Sequence, residues 1–347
     1  MVLSGLLLAA TGLGQYRDYS RVGRTPAELQ FFDDPMEVEK KEPAWWFWNK
    51  PKKESAAEQL TYAAGLERAG QVAKAVRAYD DLVRTWHTSE EALYAQLAIA
   101  RLESAAGHAQ AAFDADIYLL AYFSGHFESR KVLEDAVAQA DLMVERERGR
   151  SVKLRLGSGL RANYEKVIHY APRWERVPGL LLKIAELYEA DGEFASAITV
   201  CDRIFVDWPS YEGLDEVLEI YCGACRRLAD QWRNDAGRLA HLNRLLLGAV
   251  IYRPGHPKRE LFQQWAQEVL TMRRELAYAS ARFYDNAKAY SVEATIQAYQ
   301  TFLRDFPDAP EAEGVRARLA ELSLERQKGE GREGAVESRA AAKDDEA

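Results

Sequence analysis

Cysteine is scarce in this chain: three in 347 residues, at Cys201, Cys222 and Cys225. So few thiols exclude a disulfide-built fold, and the odd count leaves at least one outside any internal pair. Basic charge is not in excess either. The formal net charge is −8 at pH 7, so the electropositive footprint that phosphate backbones require is missing, and nucleic acid is excluded as the main partner. No apolar run approaches the roughly 18 residues of a membrane-spanning helix. The signatures of catalysis are missing as well. There is no G-x-S-x-G and no Walker-type glycine loop. The six histidines (His87, His108, His126, His169, His241 and His256) form no H-E-x-x-H or other metal spacing. They are expected at the surface or in turns. No catalytic, cofactor-binding or metal residue is assigned, and the chain reads as a non-enzyme.

What is present is ordinary globular composition, 48% hydrophobic and 29% charged, on a chain long enough for a large core or a repeat array. It divides by pattern. Residues 1–14 (Val2-Leu3-Ser4-Gly5-Leu6-Leu7-Leu8-Ala9-Ala10 and on to Gly14) are short, apolar and end in small residues, like a secretory signal without its basic start. Residues 15–53 lack helical period and contain Trp45-Trp46-Phe47-Trp48 followed by Lys50, Lys52 and Lys53. This aromatic run either caps the first repeat or docks on a partner or membrane surface. Residues 54–327 read as a helical repeat domain. Residues 328–347 are rich in Gly, Ala and charge, and are predicted to be disordered.

One apolar stripe recurs through the body. Val72, Ala75, Val76, Tyr79, Leu82, Val83 and Trp86 lie at i, i+3, i+4 and i+7 spacings, one face of a four-turn helix. The same register fits Phe194 to Trp208 and Val292 to Phe306, each closed by a proline, Pro209 and Pro307, that cannot continue a helix. Weaker copies begin at Ala109, Gly157 and Leu239. The copy from Ala109 is interrupted by Asp116, which is expected at a helix edge or in solvent. A second helical run precedes each copy, and the clearest joins carry Gly70, Gly107 and Gly192, suited to the left-handed turn that ends a helix. The centre of the second helix pairs a small residue with a larger one, as in Ala75 and Tyr79 or Ala197 and Cys201. With Tyr188 before and Pro209 after, this resembles the tetratricopeptide pattern. The predicted fold is all-α: a right-handed α-solenoid of about six tetratricopeptide-like hairpins with a C-terminal capping helix over residues 309–327. Its concave face should be lined mainly by first helices. A basic join, Arg146, Arg148, Arg150, Lys153 and Arg155, and a long helix from about Lys258 to Ala287 make the array irregular.

Two blocks carry a closer likeness. The first is Ala162-Asn163-Tyr164-Glu165-Lys166-Val167-Ile168 through Ala171-Pro172, then Lys183-Ile184-Ala185-Glu186-Leu187-Tyr188, Gly192 and Trp208-Pro209. The second is Glu275-Leu276-Ala277-Tyr278, Phe283-Tyr284, Ala289-Tyr290, Ala298-Tyr299 and Phe302-Leu303-Arg304-Asp305-Phe306-Pro307-Asp308. Through these blocks the chain resembles the BamD-like outer-membrane protein assembly factors, which are tetratricopeptide proteins. The resemblance implies a scaffold in the periplasm, associated with the outer membrane. Its partners would be the β-barrel assembly subunit and unfolded outer-membrane proteins. That family carries a lipid on a cysteine at the end of its signal, whereas the first cysteine here is Cys201, which leaves lipidation open. Other readings are a tetratricopeptide adaptor of cell-wall or division complexes, and a thiol-redox protein using Cys222 and Cys225. That C-x-x-C lies within a helical run without a second cysteine pair, so both cysteines are expected to be small core residues. The candidate partner-binding residues are Glu67, Arg68, Tyr94 and Arg101 on first helices, with Trp45, Trp46 and Trp48 of the linker.

Overall fold

The computed structural model describes residues 38–42, 50–126, 128–149, 158–286 and 291–327. The signal-like segment, Trp45, Trp46 and Trp48, the basic residues Arg150, Lys153 and Arg155, and the C-terminal tail lie outside the described residues. Among the described residues there are thirteen helices and no strand. They are α1 (Ala56–Arg68), α2 (Val72–Thr85), α3 (Glu90–Ala105), α4 (Ala109–Tyr122), α5 (Ser129–Arg148), α6 (Ser158–Tyr170), α7 (Val177–Ala190), α8 (Phe194–Asp207), α9 (Leu214–Gln231), α10 (Ala236–Tyr252), α11 (Arg259–Asn286), α12 (Val292–Asp305) and α13 (312–327). The even-numbered helices from α2 to α12 are the six stripe-bearing helices of the sequence, and each follows its partner in a hairpin. The fold class is the expected all-α solenoid of helical hairpins.

The hairpins close as their glycines require. Gly70, Gly107 and Gly192 adopt φ of 71°, 74° and 78°, a conformation that a Cβ penalises. Just beyond each, an N–H reaches back five residues: Gln71 to Leu66, His108 to Glu103 and Glu193 to Tyr188, at 2.9 to 3.0 Å. These bonds satisfy carbonyls that the helix end would otherwise orphan. Side chains cap several starts, with Ser55, Ser89, Asp235 and Ser291 accepting from backbone N–H groups two to three residues into α1, α3, α10 and α12.

The chain forms two compact units, one within Gly14–Ile220 and one within Tyr221–Ala347. In the first, consecutive helices from α1 to α8 pack on each other, and α1 also meets α3 and α4 meets α6. This next-but-one contact turns separate hairpins into a stack with a shared core. Small residues mark the closest approach within hairpins: Ala75, Ala112 and Ala197 are fully buried. In the second unit α10, α11 and α12 pack in sequence. The α13 helix closes that end, placing Val315 and Leu322 against Ile296, Tyr299, Phe302 and Phe306.

Three expectations are corrected. Asp116 is buried, only 4% exposed, because it occupies the central inward position of α4. His241 and His256 are also buried. His256 keeps a turn position but packs against Phe262, the rings tilted by 41° with centroids 4.8 Å apart, and its Nδ1 accepts from the Lys258 N–H at 3.0 Å. Arg146 and Arg148 belong to the last turn of α5 rather than to a loop, where cations offset the negative helix end. Arg146 donates to the Gly107 carbonyl at 3.1 Å.

Candidate partner-binding surface

The first helices of the first unit bring the predicted residues together. Glu67, near the end of α1, lies 2.6 Å from Arg101 of α3, and the Tyr79 hydroxyl of α2 donates to its other oxygen at 3.0 Å. Arg101 stays largely exposed while Tyr79 is buried, so the cluster has one dry side and one wet side. Tyr94 stands two turns before Arg101 on α3. It is 51% exposed, an uncommon state for a large aromatic ring, and donates to Glu90 at 3.1 Å. Arg68 is exposed and donates to its own helix, at the Ala64 carbonyl. Glu67, Tyr94 and Arg101 thus share a solvent-facing strip, whereas Arg68 stands apart from the ion pair.

The Tyr79 arrangement occurs three times. In the third hairpin the Tyr164 hydroxyl of α6 donates to Asp141 of α5 at 2.6 Å, and Lys183 of α7 reaches the same carboxylate at 2.5 Å. In the second unit Tyr299 of α12 donates to Asp285 of α11 at 3.0 Å, and Arg318 of α13 grips Asp285 through two nitrogens at 3.0 and 3.1 Å. Each time, a second-helix tyrosine and a cation from the following element meet on one first-helix carboxylate. Burial, reinforced by the carboxylate, pushes the Tyr79 and Tyr299 phenols up to about 12. The hydrogen bond from Arg318 holds the Asp285 carboxyl below its usual range. Sequence reading missed Asp141, Tyr164, Lys183, Asp285, Tyr299 and Arg318 as a group. The available signal was register: Tyr79, Tyr164 and Tyr299 occupy the same central position of the recurring stripe.

Beside the second cluster, Asp141, Glu145, Arg148, Tyr164, Lys183 and Glu186 line a cavity of about 160 Å³. That is below the roughly 300 Å³ at which pockets for cofactor-sized ligands begin. Four of its charges pair with one another, Lys183 with Asp141 and Arg148 with Glu186 at 3.4 Å. At this cluster the surface therefore offers side-chain ends and paired charges, with too little room for a cofactor-sized molecule.

Cys222 and Cys225 are fully buried on α9. Burial pushes the Cys222 thiol well above its ordinary value, the reverse of what a reactive thiol needs. Both are core residues, as expected. Among the described residues no cluster of three or more His, Cys, Asp or Glu side chains is placed to hold a metal ion, and no helix is long and apolar enough to cross a membrane. No family model matches the chain, and no curated protein matches it.

Proposed function

We propose that this chain is a non-enzymatic scaffold that recognises other proteins along the first-helix strip of its N-terminal hairpins. The observation that carries this reading is Tyr94, half exposed on α3 two turns from Arg101, which pairs with Glu67. Tyrosine and arginine are the side chains that most often anchor protein interfaces, since they combine large contact area with directional polar groups. The stacked hairpins supply the rigid elements on which such a strip keeps its spacing.

The specific system proposed is outer-membrane β-barrel protein assembly in the periplasm. The chain would associate with the outer membrane through a β-barrel assembly subunit and receive unfolded barrel segments. This part rests on the BamD-like character of the two sequence blocks. The second block falls on α11, α12 and the turn after them, so the assembly subunit is assigned to the C-terminal hairpin and the unfolded client to the Tyr94 strip.

Affinity capture of the tagged chain from detergent-solubilised envelopes tests both parts. The expected result is recovery of a β-barrel assembly subunit, lost when residues 258–327 are deleted. Client binding should be weakened at least ten-fold by Tyr94→Ala with Arg101→Ala. Recovery of cell-wall or division proteins alone would move the scaffold to another envelope pathway. Unchanged client binding by the double variant would remove the strip from the function.

A further inference from the structure

The first unit holds an extended piece of its own chain in a built site. Residues 38–42 lie outside any helix, and four side chains from three helices receive them. The Tyr122 hydroxyl donates to the Val38 carbonyl at 2.5 Å, and the Lys41 N–H donates to the Tyr118 hydroxyl at 3.2 Å. These tyrosines sit one turn apart on α4 and read backbone, which any sequence provides. The lysine side chain is read separately. Its Nζ lies 2.7 Å from Asp80 of α2, donates to Gln96 of α3 at 3.1 Å, and sits 4.8 Å from the centre of the Tyr118 ring. Val38 and Lys41 are partly buried while Glu39, Lys40 and Glu42 are exposed. That three-residue spacing is the one a polyproline II segment produces.

The receiving groups are held in place from behind. Gln96 is fully buried and donates to the Ala115 carbonyl at 3.1 Å, which aims its side-chain oxygen at Lys41. His87 meets the Tyr118 hydroxyl at 2.8 Å, and Arg84 holds Asp80 at 2.6 Å. The niche also has a counterpart one hairpin earlier. Buried Gln59 donates to the Ala78 carbonyl at 2.9 Å, and its oxygen accepts from the Lys52 and Lys53 N–H groups at 2.9 and 3.1 Å. The same device therefore receives the N-terminal segment at two successive hairpins. Gln96 is two residues from Tyr94, about 200° around the helix at 3.6 residues per turn, so this face is separate from the proposed partner strip.

The geometry points to a peptide-binding site formed by Asp80, Gln96, Tyr118 and Tyr122, whose ligand is an extended segment carrying a lysine. Residues 38–42 occupy it in cis, and a partner segment of the same chemistry enters by displacing them. The strap rests on few contacts, and its ion pair is partly exposed, which keeps each contact weak. Tethering supplies the rest, because a short linker gives an effective concentration on the order of millimolar. An incoming segment must outcompete that local concentration, so the strap sets a threshold for binding.

A fluorescent peptide spanning residues 36–44 tests this against the 347-residue chain. Saturable binding to the Lys41→Ala chain, at least ten-fold tighter than to the wild-type chain and abolished by adding Asp80→Asn, is the expected result. A peptide with alanine at the Lys41 position should not bind. Helical circular dichroism and a cooperative melt establish that each variant is folded. On the wild-type chain, excess peptide should speed hydrogen exchange at the Lys41 amide, since displacement breaks its bond to Tyr118. Failure of the folded Lys41→Ala chain to bind, equal binding of the lysine-free peptide, or unchanged exchange at Lys41 would each overturn the assignment.

Discussion

Asp116 stands at the central position of α4 where three other second helices carry tyrosine. Burial, with the Asp135 charge behind it, pushes its carboxyl up to about 8. In the unfolded chain an aspartate titrates near 3.9. Between those values the folded state holds a proton that the unfolded state has lost, so stability falls as pH rises from about 4 to about 8. Asp116→Asn removes the charge at constant shape. The expected outcome is a gain of roughly 1–3 kcal/mol at pH 8, the range for relieving an ill-satisfied buried group, and little change at pH 4. Urea titrations at the two pH values measure it. Arg161 poses the opposite case. It is buried on α6, pairs with the buried Asp191 carboxylate, and stacks over the Tyr188 ring at 4.2 Å. Arg161→Met leaves that carboxylate without its partner and should cost roughly 3–5 kcal/mol, while the added change Asp191→Leu should restore most of the loss. A double-mutant cycle in the same denaturant decides this. Without recovery in the double variant, packing of Arg161 rather than its charge would be the dominant contribution.

At the scale of elements, the hairpin is governed by a small residue facing a close approach and a glycine turning the corner. Ala197 has no exposed surface on α8. Ala197→Leu is expected to destabilise by about 1–3 kcal/mol through overpacking, seen as a lower denaturation midpoint with an unchanged slope. These features were legible because they are local. The stripe in α2, α8 and α12 repeats every three to four residues, and Gly70, Gly107 and Gly192 sit where only glycine turns easily. Asp116 misled for a physical reason: polarity predicts exposure, but helical register places this side chain inward, and protonation lets it stay there. His241 misled similarly, since register turns it inward within α10, whereas His256 keeps its turn and is covered there by Phe262. The buried glutamines Gln59 and Gln96 carried no periodic signal, because their role is to bridge a helix carbonyl and an extended segment from elsewhere in the chain.

At the scale of the molecule, each unit completes its own core, and α13 is what closes the second. Deleting residues 312–347 would uncover Tyr299, Phe302 and Phe306 and remove the Arg318 grip on Asp285. The expected outcome is a lower melting temperature and new binding of a hydrophobic dye; a truncated chain that melts as the full one does would show that α13 contributes little to closure. The sequence by itself determined the class, the six hairpins, the capping helix and the buried cysteines, since periodicity, glycine and proline act within a few residues of where they stand. Tertiary structure alone decided which charges meet. Glu67 finds Arg101, Asp141 finds Lys183, and Lys41 finds Asp80 across separations of 34, 42 and 39 positions along the chain. Such pairs depend on the stacking of whole hairpins, and stacking is set by summed contact along helices rather than by any local pattern.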